Sequence, residues 1–324
     1  MRLSIVIPTL ARAPILERAL DRLDRQTGRD PDFEVIVVAD ANEPDPDAVA
    51  ATIEGRPYPA RLLRADEPGV SAARNRGWRA AAAPLVLFFG DDMLPDRHLV
   101  AEHLAWHERH ADERVAVLGH VRWARELGVT PFMRWLDHGV QFDYPRIRGI
   151  EAGWGRFYAA NVSLKRSLIE RAGGFDESYR FGYEELELAY RLNELGMRLV
   201  YDRRAIVEHL HPPTVDDWRR RMATVARAER RFVAEHPDVE PYFLDLFRRA
   251  ESAPRARGRG ARLAHLVPRR TPWLGPRVWS SVDASFLQAL APAFLAAWER
   301  AEAEAAQPAV RPASSGGSSP GGPK

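Results

Sequence analysis

The sequence predicts an α/β fold, with a mostly parallel central sheet flanked by helices and a helical extension at the C-terminus. Two observations lead to this prediction. Over the first hundred residues, short apolar runs rich in β-branched residues alternate with segments of helical periodicity, which is typical of parallel strands joined by helices. Beyond His211 the apolar residues recur at helical spacing, so the sheet is expected to end near that point.

The first half of the predicted sheet consists of short strands that are expected to be buried on both faces. They are predicted at residues 3–7, 33–38, 61–64 and 85–89. Leu16, Leu20 and Leu23 recur at helical spacing between the first two strands, and Ser71 is expected to cap a helix that runs to Ala82. Ligands bind at the carboxyl ends of strands in such sheets, so the residues after each strand are candidates for a site.

The second half of the sheet region is less regular. A helix at residues 97–110 is followed by a strand at 115–121 and then by an aromatic-rich, Gly- and Pro-containing segment at 123–158. Its aromatic side chains either stack on sugar rings or pack a subdomain, and packing is the favoured interpretation. Helices are then predicted at 165–172 and 184–195, the second of which ends at Gly196.

The C-terminal part divides into a helical extension and a tail. We predict a main domain at residues 1–236, made of a nucleotide-binding part at 1–120 and a catalytic part at 121–211. The extension at 237–306 contains seven arginines between residues 253 and 282 and an apolar stripe with period four, at Val282, Phe286, Leu290, Phe294 and Trp298. Residues 307–324 are too polar and too rich in Gly and Pro to fold.

Two interpretations of this extension, residues 254–304, remain open. Arginines beside an apolar stripe suit an anionic membrane surface, and peripheral membrane contact would place the protein at the inner face of the membrane. Alternatively, the helix packs on the catalytic domain or on a second subunit, which would make a homodimer. Intramolecular or subunit packing is the favoured interpretation.

The composition restricts the functional classes. Of 324 residues, 45% are hydrophobic and 28% charged, which is ordinary for a soluble globular protein. The net charge of +2 argues against nucleic acid as the main partner. The absence of cysteine excludes disulfides and thiolate metal sites. Neither a secretory signal nor a stretch of about 20 apolar residues is present, so a cytoplasmic protein is expected.

The most informative motif is the pair Asp91-Asp92 at the end of an apolar strand. Adjacent carboxylates repel each other unless a positive charge lies nearby, and hard oxygen ligands favour Mg²⁺ or Mn²⁺. Such ions commonly complete their coordination shell with substrate phosphates, so the motif points to a nucleotide-linked substrate. The alternative is that the two residues open a solvated turn and cap the next helix.

Three other constellations point to the same chemistry. Arg74 follows a glycine turn, and its fork suits a phosphate or a base edge. Glu184, Glu185 and Glu187 lie in the first turn of a predicted helix, either for catalysis or because the helix dipole favours negative charge there. His209 follows a predicted strand end and would complete a metal site, although a lone histidine is more often a packing residue.

In this order, the motifs resemble those of the family-2 glycosyltransferases, from about residue 3 to residue 236. The matching elements include residues 4–9, 35–38 with Asp40, Gly69 with residues 73–77, 85–92, 173–177, 182–188 and His209. The resemblance implies the GT-A fold, which is built on a Rossmann-like sheet. It also implies transfer of a sugar from a nucleotide-diphospho-sugar, with inversion at the anomeric carbon and a divalent metal as cofactor.

The resemblance also implies roles for individual residues. The donor would be held by Pro8, Thr9, Arg12, Asp40, Arg74 and Asp91. Asp92 and His209 would bind Mn²⁺ or Mg²⁺, and Glu185, with Glu184 or Glu187 as substitutes, would be the catalytic base. Trp154 and Asn161 would lie on the acceptor side. A UDP-sugar is the expected donor, and a saccharide or lipid-linked molecule the expected acceptor.

The chain departs from the family pattern at three places. After the second strand it has Ala39-Asp40 where two consecutive acids are frequent, followed by Ala41-Asn42 where Gly-Ser is usual. Gly90 stands where an additional Asp is frequent, and Glu185 stands where the base is usually Asp. Two other functions compete with glycosyl transfer: a nucleotidyltransferase of related fold and a non-catalytic module that binds sugar or nucleotide. A nucleotidyltransferase would carry a Gly-rich basic loop after its first strand, which residues 8–12 do not provide.

Overall fold

The central feature of the computed structural model, which describes residues 1–27, 32–255, 267, 269 and 271–306, is one mixed sheet. The described strands are β1 (Leu3–Thr9), β2 (Phe33–Ala39), β3 (Ala60–Arg64), β4 (Leu85–Phe89), β5 (Met93–Pro95), β6 (Val115–Trp123), β7 (Asn161–Lys165) and β8 (Arg198–His209). Their order in the sheet is β3-β2-β1-β4-β7-β6-β8-β5. The four strands predicted in the first ninety residues are therefore confirmed.

The N-terminal part of the sheet, β1 to β4, is parallel, as predicted. Strand β1 pairs in parallel with both β2 and β4, and β2 pairs in parallel with β3. Every residue of β2 is buried and β1 is buried except at one position, whereas the edge strand β3 is half-exposed. Burial on both faces explains why β1 and β2 are continuous apolar runs without alternation.

The other half of the sheet contains antiparallel pairs that were not predicted. Strand β7 runs antiparallel to both β4 and β6, and the short β5 runs antiparallel to β8. Residues 161–165 include Asn, Ser and Lys, and β5 ends in Pro95, so neither segment shows an apolar pattern. Strand β5 pairs Met93 with His209, which brings the end of β8 next to Asp91-Asp92.

Helices cover the sheet and form the C-terminal region. They are α1 (Ala13–Leu23), α2 (Pro46–Ile53), α3 (Val70–Ala80), α4 (Leu99–Arg109), α5 (Pro131–Leu136), α6 (Arg166–Ala172), α7 (Glu184–Glu194), α8 (Val215–Glu235), α9 (Tyr242–Ser252) and α10 (Leu274–Ala306). Helix α3 begins after Gly69, and Ser71 does not cap it, because the Ser71 hydroxyl donates to the Tyr179 carbonyl at 2.6 Å.

The C-terminal helices share a second hydrophobic core. It is formed by side chains of α5, α8, α9 and α10, among them Trp135, Trp218, Phe247, Val282 and Phe294. The predicted boundary at residue 236 therefore falls between helices of one packed unit. Helix α10 contacts α8 and α9 extensively, so the extension is not a separate appendage.

The apolar stripe of the extension packs on the chain itself. Val282, Leu290 and Phe294 are fully buried, and Trp298 is nearly so. Phe286 is half-buried and packs on Phe132 and Trp135 of α5. Most of the stripe is therefore used for packing within the chain, while membrane contact through the arginines stays a prediction. Packing on the remainder of the chain, the favoured alternative, is what the structure has.

The arginine-rich segment and the tail lie for the most part outside the described residues. Arg257, Arg259, Arg262, Arg270 and residues 307–324 are not described. Arg269 is described: it forms a bidentate ion pair with Asp283 and stacks 4.2 Å above the Trp279 ring. Within the described ranges, no helix has the length and apolar content needed to cross a bilayer.

Replacement of Gly77 by Ala tests the packing of α3 on the parallel strands. A Cβ at Gly77 would lie 2.3 Å from Cγ1 of the fully buried Val6 and 3.2 Å from Cγ2 of Val38. The overlap outweighs the gain in helix propensity of about 1 kcal/mol, so we expect Gly77→Ala to lower the free energy of unfolding by about 1–3 kcal/mol.

Urea denaturation measures this effect, with Gly128→Ala as the matched control. A Cβ at Gly128 would meet no atom within 4 Å, so its stability should change by no more than about 0.5 kcal/mol. Equal stability of the two variants would contradict the close packing of α3 on β1.

Candidate active site

The candidate site begins at the carboxyl ends of β1, β2 and β4. Thr9, Asp40 and Asp91 end or follow these strands and are all buried. Because the three strands are parallel neighbours, their ends lie along one edge of the sheet. This arrangement explains how residues more than thirty positions apart in sequence come to one place, as predicted.

Asp91 and Asp92 share one arginine. Nη1 of Arg12 lies 3.3 Å from Oδ1 of Asp91 and 2.9 Å from Oδ2 of Asp92, and the Thr9 hydroxyl donates to Oδ2 of Asp91 at 2.9 Å. Arg12 follows β1 immediately, which makes it available to both carboxylates. The positive charge that the adjacent aspartates require is thus supplied by the chain itself.

The two aspartates have different proton affinities. Burial, together with the neighbouring charge of Asp92, raises the pKa of Asp91 to about 6. Burial also acts on Asp92, but the hydrogen bond and charge of His209 and the charge of Arg12 outweigh it and lower the pKa of Asp92 to about 2. Asp92 is therefore the carboxylate that stays ionised and suits a cation.

His209 faces Asp92 at the end of β8. Its Nε2 lies 3.3 Å from Oδ2 of Asp92, and its ring stacks on Trp123 with centroids 5.2 Å apart. Nδ1 of His209 is buried and has no hydrogen-bond partner within the described part of the chain. Nε2 is thus held only by the long contact with Asp92, and an imidazole in this position could also face a metal ion.

A divalent cation fits this pair of ligands. One carboxylate oxygen and one imidazole nitrogen are donors that Mn²⁺ accepts. In the ranges that the structure describes, no group of three or more potential ligands is found, so an ion here would take further ligands from a bound substrate. Arg12 contacts the same oxygen of Asp92 and would have to release it.

Asp40 organises the backbone at this edge. Its Oδ2 accepts a hydrogen bond from the Gly69 amide and its Oδ1 from the Asn42 amide, both at 2.8 Å. Gly69 has φ +123° and a Cβ there would lie 3.3 Å from the Arg180 backbone, so glycine is required. Asp40 thereby fixes the loop that starts α3 beside the residues that precede α7.

Arg74 lies against the candidate bases and not beside the predicted donor residues. Its Nη1 donates to Oε1 of Glu184 at 3.1 Å and its Nη2 donates to Oε1 of Glu185 at 2.9 Å, while the guanidinium stacks 5.3 Å above the Phe175 ring. The prediction that Arg74 seats the donor nucleotide finds no support in these contacts, because the guanidinium is committed to the two carboxylates.

Glu185 is the more accessible of the two carboxylates. Its side chain is 27% exposed, compared with 7% for Glu184. Burial raises the pKa of Glu185 above its ordinary value, with Arg74 opposing and Glu184 adding to the increase. A carboxylate that faces a cavity with a raised pKa is a suitable general base. Glu187 is instead ion-paired with Arg191.

The loop before α7 is held from two sides. Asn75 on α3 donates to the Phe175 carbonyl and accepts from the Phe175 amide, at 2.8 and 2.9 Å. On the other side, the Tyr183 hydroxyl donates to Glu229 of α8. Tyr183 precedes Glu184 and has φ +66°, a left-handed conformation that requires support from its surroundings.

A cavity of about 400 Å³ lies between this loop and the C-terminal helices. Glu184 and Glu185 line one side, and Trp154, Tyr158, Trp218 and Arg221 line others. Trp154 is thus at the cavity, which is consistent with its predicted place on the acceptor side. The cavity is large enough for a small molecule, and its walls combine aromatic rings with a few charged groups.

Asn161 does not reach this cavity, so its predicted place on the acceptor side is wrong. Its side chain is fully buried in β7. There, Oδ1 pairs with Nε2 of His103 at 2.9 Å and Nδ2 donates to the Ala205 carbonyl at 2.9 Å. The amide is used to join β7, α4 and β8, and it leaves no polar atom for a ligand.

Sequence analysis missed several residues of the site. Tyr183, Trp218, Arg221 and Glu229 were not singled out. Trp218, Arg221 and Glu229 lie on α8, a helix with many charged residues, so nothing in the sequence marks these three. The one available signal is the apolar periodicity of the helix, which identifies its inward face.

Fold and site together define a class of protein: an α/β nucleotide-binding domain with acidic residues at its strand ends, followed by a helical unit that completes a cavity. Residues 4–162 match the family model described as "Glycosyl transferase family 2". Validoxylamine A glucosyltransferase of Streptomyces hygroscopicus subsp. jinggangensis is 30% identical over 273 residues, which cover 74% of this chain and 62% of that protein.

Further similarities point to the same family. Pre-mycofactocin glycosyltransferase of Mycobacterium tuberculosis is 31% identical over 176 residues, which cover 52% of this chain and 36% of that protein. Among solved structures, the mannosyltransferase PcManGT from Pyrobaculum calidifontis, in complex with GDP-Man and Mn²⁺, superimposes with a TM-score of 0.61 at 20% identity, covering 92% of this chain and 88% of that one. TarS of S. aureus in complex with UDP gives 0.51 at 14% identity, covering 93% and 92%.

Residues 4–162 are a family-2 glycosyltransferase domain, and the described chain has the GT-A fold. The chain spans 62% and 58% of the length of the two validoxylamine A glucosyltransferases that it matches. None of these similarities is to a nucleotidyltransferase. The roles of individual residues rest on the geometry described above.

Replacement of Tyr183 by Phe tests the contact between the loop before α7 and α8. The change removes the hydroxyl that donates to the fully buried Glu229, whose other hydrogen bonds come from the backbone amides of Phe243 and Leu244. A lost hydrogen bond to a buried carboxylate should lower the free energy of unfolding by about 1.5–3 kcal/mol.

Tyr190→Phe is the matched control in the same urea titration. The Tyr190 hydroxyl donates to the exposed Asp238, so its loss should change stability by less than about 0.5 kcal/mol. A Tyr183→Phe variant as stable as the control would show that Tyr183 does not hold the loop.

Proposed function

We propose that this protein is an inverting glycosyltransferase, which transfers a sugar from a nucleotide-diphospho-sugar to a hydroxyl group of an acceptor. The observation that carries the proposal is the placement of Glu185. Its partly exposed carboxylate faces the 400 Å³ cavity at the N-terminus of α7, and Arg74 fixes its orientation. The residues at the carboxyl ends of β1, β2 and β4 would bind the donor on the other side of the reacting carbon.

Glu185 would act as the general base. An acceptor hydroxyl that enters the cavity would lose its proton to the carboxylate as the oxygen attacks the anomeric carbon. Burial raises the pKa of Glu185 towards neutral pH, and a carboxylate with a higher pKa is a stronger base for the acceptor proton. Glu184 is more buried and is bonded to Arg74, so its role would be to orient Arg74 and to strengthen the base electrostatically.

Asp92 and His209 would hold Mn²⁺ or Mg²⁺ at the donor. When bound, such an ion offsets the negative charge that grows on the leaving diphosphate. The low pKa of Asp92 keeps this carboxylate ionised at any physiological pH. PcManGT was solved with GDP-Man and Mn²⁺, which supports use of a divalent ion.

The donor would lie along the strand ends. Pro8, Thr9 and Asp40 line this edge and would contact the nucleoside, while Arg12 and Asp91 would contact the ribose or the diphosphate. The solved neighbours were crystallised with GDP-Man, UDP and UDP-GlcNAc. We propose a UDP-sugar as donor, with a GDP-sugar as the alternative to be tested beside it.

A saccharide would be the acceptor. Trp154 and Trp218 line the cavity, and aromatic side chains are suited to contact with sugar rings. Membrane attachment through the apolar stripe is no longer available as an argument for a lipid-linked acceptor, because most of that stripe is buried. The cavity volume suits an acceptor of one or two rings.

Two substitutions test the assignment of the catalytic groups. Glu185→Gln removes the base without changing the shape of the side chain and should lower kcat by about a hundredfold or more. Asp92→Asn removes the ionised metal ligand and should abolish transfer. Both are measured as release of nucleoside diphosphate from a panel of UDP- and GDP-sugars in the presence of Mn²⁺.

Each variant has a matched control. Glu194→Gln changes an exposed carboxylate at the other end of α7, and Asp47→Asn changes an exposed one on α2, so both should retain full activity. If Glu185→Gln keeps wild-type kcat, the base is another residue. If the wild-type protein neither binds nor hydrolyses any donor, the protein is a binding module and the proposal fails.

Removal of the metal tests the donor half of the site independently of catalysis. Binding of UDP or GDP, measured by isothermal titration calorimetry, should weaken at least about tenfold when EDTA replaces Mn²⁺, because the diphosphate loses its cation. In Asp92→Asn the affinity should be low in both conditions. Equal affinities of the wild-type protein with EDTA and with Mn²⁺ would rule out a metal-bound diphosphate.

A further inference from the structure

Arg221 occupies an unusual position in the wall of the cavity. It lies in the second turn of α8, and its guanidinium stacks between the rings of Phe181 and Trp218, at 4.8 and 5.1 Å from their centroids. Contact with the two rings restricts the orientation of the guanidinium. A guanidinium held in this manner is oriented before any ligand arrives.

No carboxylate within ion-pair distance of this partly buried cation is found in the part of the chain that the structure describes. Three other arginines of α8 are paired: Arg219 with Asp216, Arg220 with Asp217 and Arg231 with Glu235. Nε of Arg221 is buried without a hydrogen-bond partner. Burial of an unpaired charge is costly, and proteins retain it mainly where a ligand supplies the counter-ion.

The charges that face Arg221 are the carboxylates of Glu184 and Glu185. Burial lowers the pKa of Arg221 below its ordinary value, and the attraction of these two carboxylates only partly opposes this decrease. Both carboxylates are already bonded to Arg74. No hydrogen bond or ion pair between described residues joins these carboxylates to Arg221, so its terminal N–H groups remain available to the cavity.

We propose that Arg221 binds an anionic group, a carboxylate or a phosphate, carried by the acceptor. The acceptor would then be an acidic saccharide or a sugar phosphate. This inference rests on the proposed function, since it assumes that the cavity beside Glu185 receives the acceptor. The planar fork of arginine matches both anions in a bidentate manner, and the aromatic walls suit the sugar ring that carries them.

The position of Arg221 favours the acceptor over the donor diphosphate as the source of the anion. Arg221 lines the cavity together with Glu184 and Glu185, whereas Arg12, Asp92 and His209 do not line it. The general base and the leaving group lie on opposite sides of the anomeric carbon in an inverting reaction. A cation on the side of the base therefore meets the acceptor.

Binding experiments with the full chain test this proposal. Glucose, glucuronate and glucose 6-phosphate are titrated separately by isothermal titration calorimetry, and UDP and GDP are titrated in the presence of Mn²⁺. The proteins are the wild type, Arg221→Met, Arg221→Lys and the control Arg227→Met, which changes an exposed arginine of the same helix. Circular dichroism verifies that each variant is folded, and Arg221→Lys preserves the charge if the methionine variant does not fold.

We expect the wild type to bind glucuronate or glucose 6-phosphate at least about tenfold more tightly than glucose. Arg221→Met should lose this preference, Arg221→Lys should keep part of it, and Arg227→Met should keep all of it. Binding of UDP and GDP should be the same in all four proteins. Failure of the wild type to bind either nucleotide would overturn the proposed function. The ratio of the affinities for charged and neutral sugars tests the role of Arg221 independently of that result.

Two results would overturn the assignment of Arg221. The first is an equal affinity of the wild type for charged and neutral sugars, or no measurable binding of any of them. The second is a loss of UDP or GDP binding in Arg221→Met that equals or exceeds the loss of sugar binding, because Arg221 would then serve the donor.

Discussion

The candidate site depends on the sharing of one guanidinium by two carboxylates, an arrangement that occurs twice. Arg12 lies between Asp91 and Asp92, and Arg74 joins Glu184 to Glu185. In each pair the carboxylates are too close to remain ionised in a buried environment without a cation. Each pair has one arginine within hydrogen-bond distance of both of its carboxylates. In the proposed function, the first pair would contribute a ligand to a metal ion and the second would accept a proton from the acceptor hydroxyl.

Sequence patterns predicted those parts of the fold that are specified locally. Buried parallel strands are continuous apolar runs, so β1, β2 and β4 were found, and Asp91-Asp92 was found because it ends such a run. Strands β5 and β7 were missed because polar residues and a proline interrupt them. The partners of Arg74 are 110 and 111 residues away, and only the path of the chain determines which charges a guanidinium meets. Asn161 was misassigned for the same reason.

The C-terminal helices belong to the site as well as to the fold. Helix α8 contributes Trp218 and Arg221 to the cavity, and its Glu229 holds Tyr183 at the entrance to α7. The burial of the α10 stripe against α8 and α9 therefore supports the geometry around Glu185 from a distance. In the proposed function, substitutions on α8 would change specificity for the acceptor without altering the strand ends proposed to bind the donor.

Arg12 and a cation at Asp92 compete for the same carboxylate oxygen. The Nη1 atom of Arg12 lies 2.9 Å from Oδ2 of Asp92, and Nε2 of His209 lies 3.3 Å from that oxygen. In the proposed function, Asp92 and His209 would hold the metal ion, and Arg12 would have to release Asp92 while it could keep its contact with Asp91. Arg12 would thus stabilise the acidic pair in the absence of donor and would be a cation near the diphosphate in its presence. Arg12 would therefore have a role with and without the metal ion. Its positive charge offsets Asp91 and Asp92 when no metal is bound, and it would contact the diphosphate when the metal takes over Asp92.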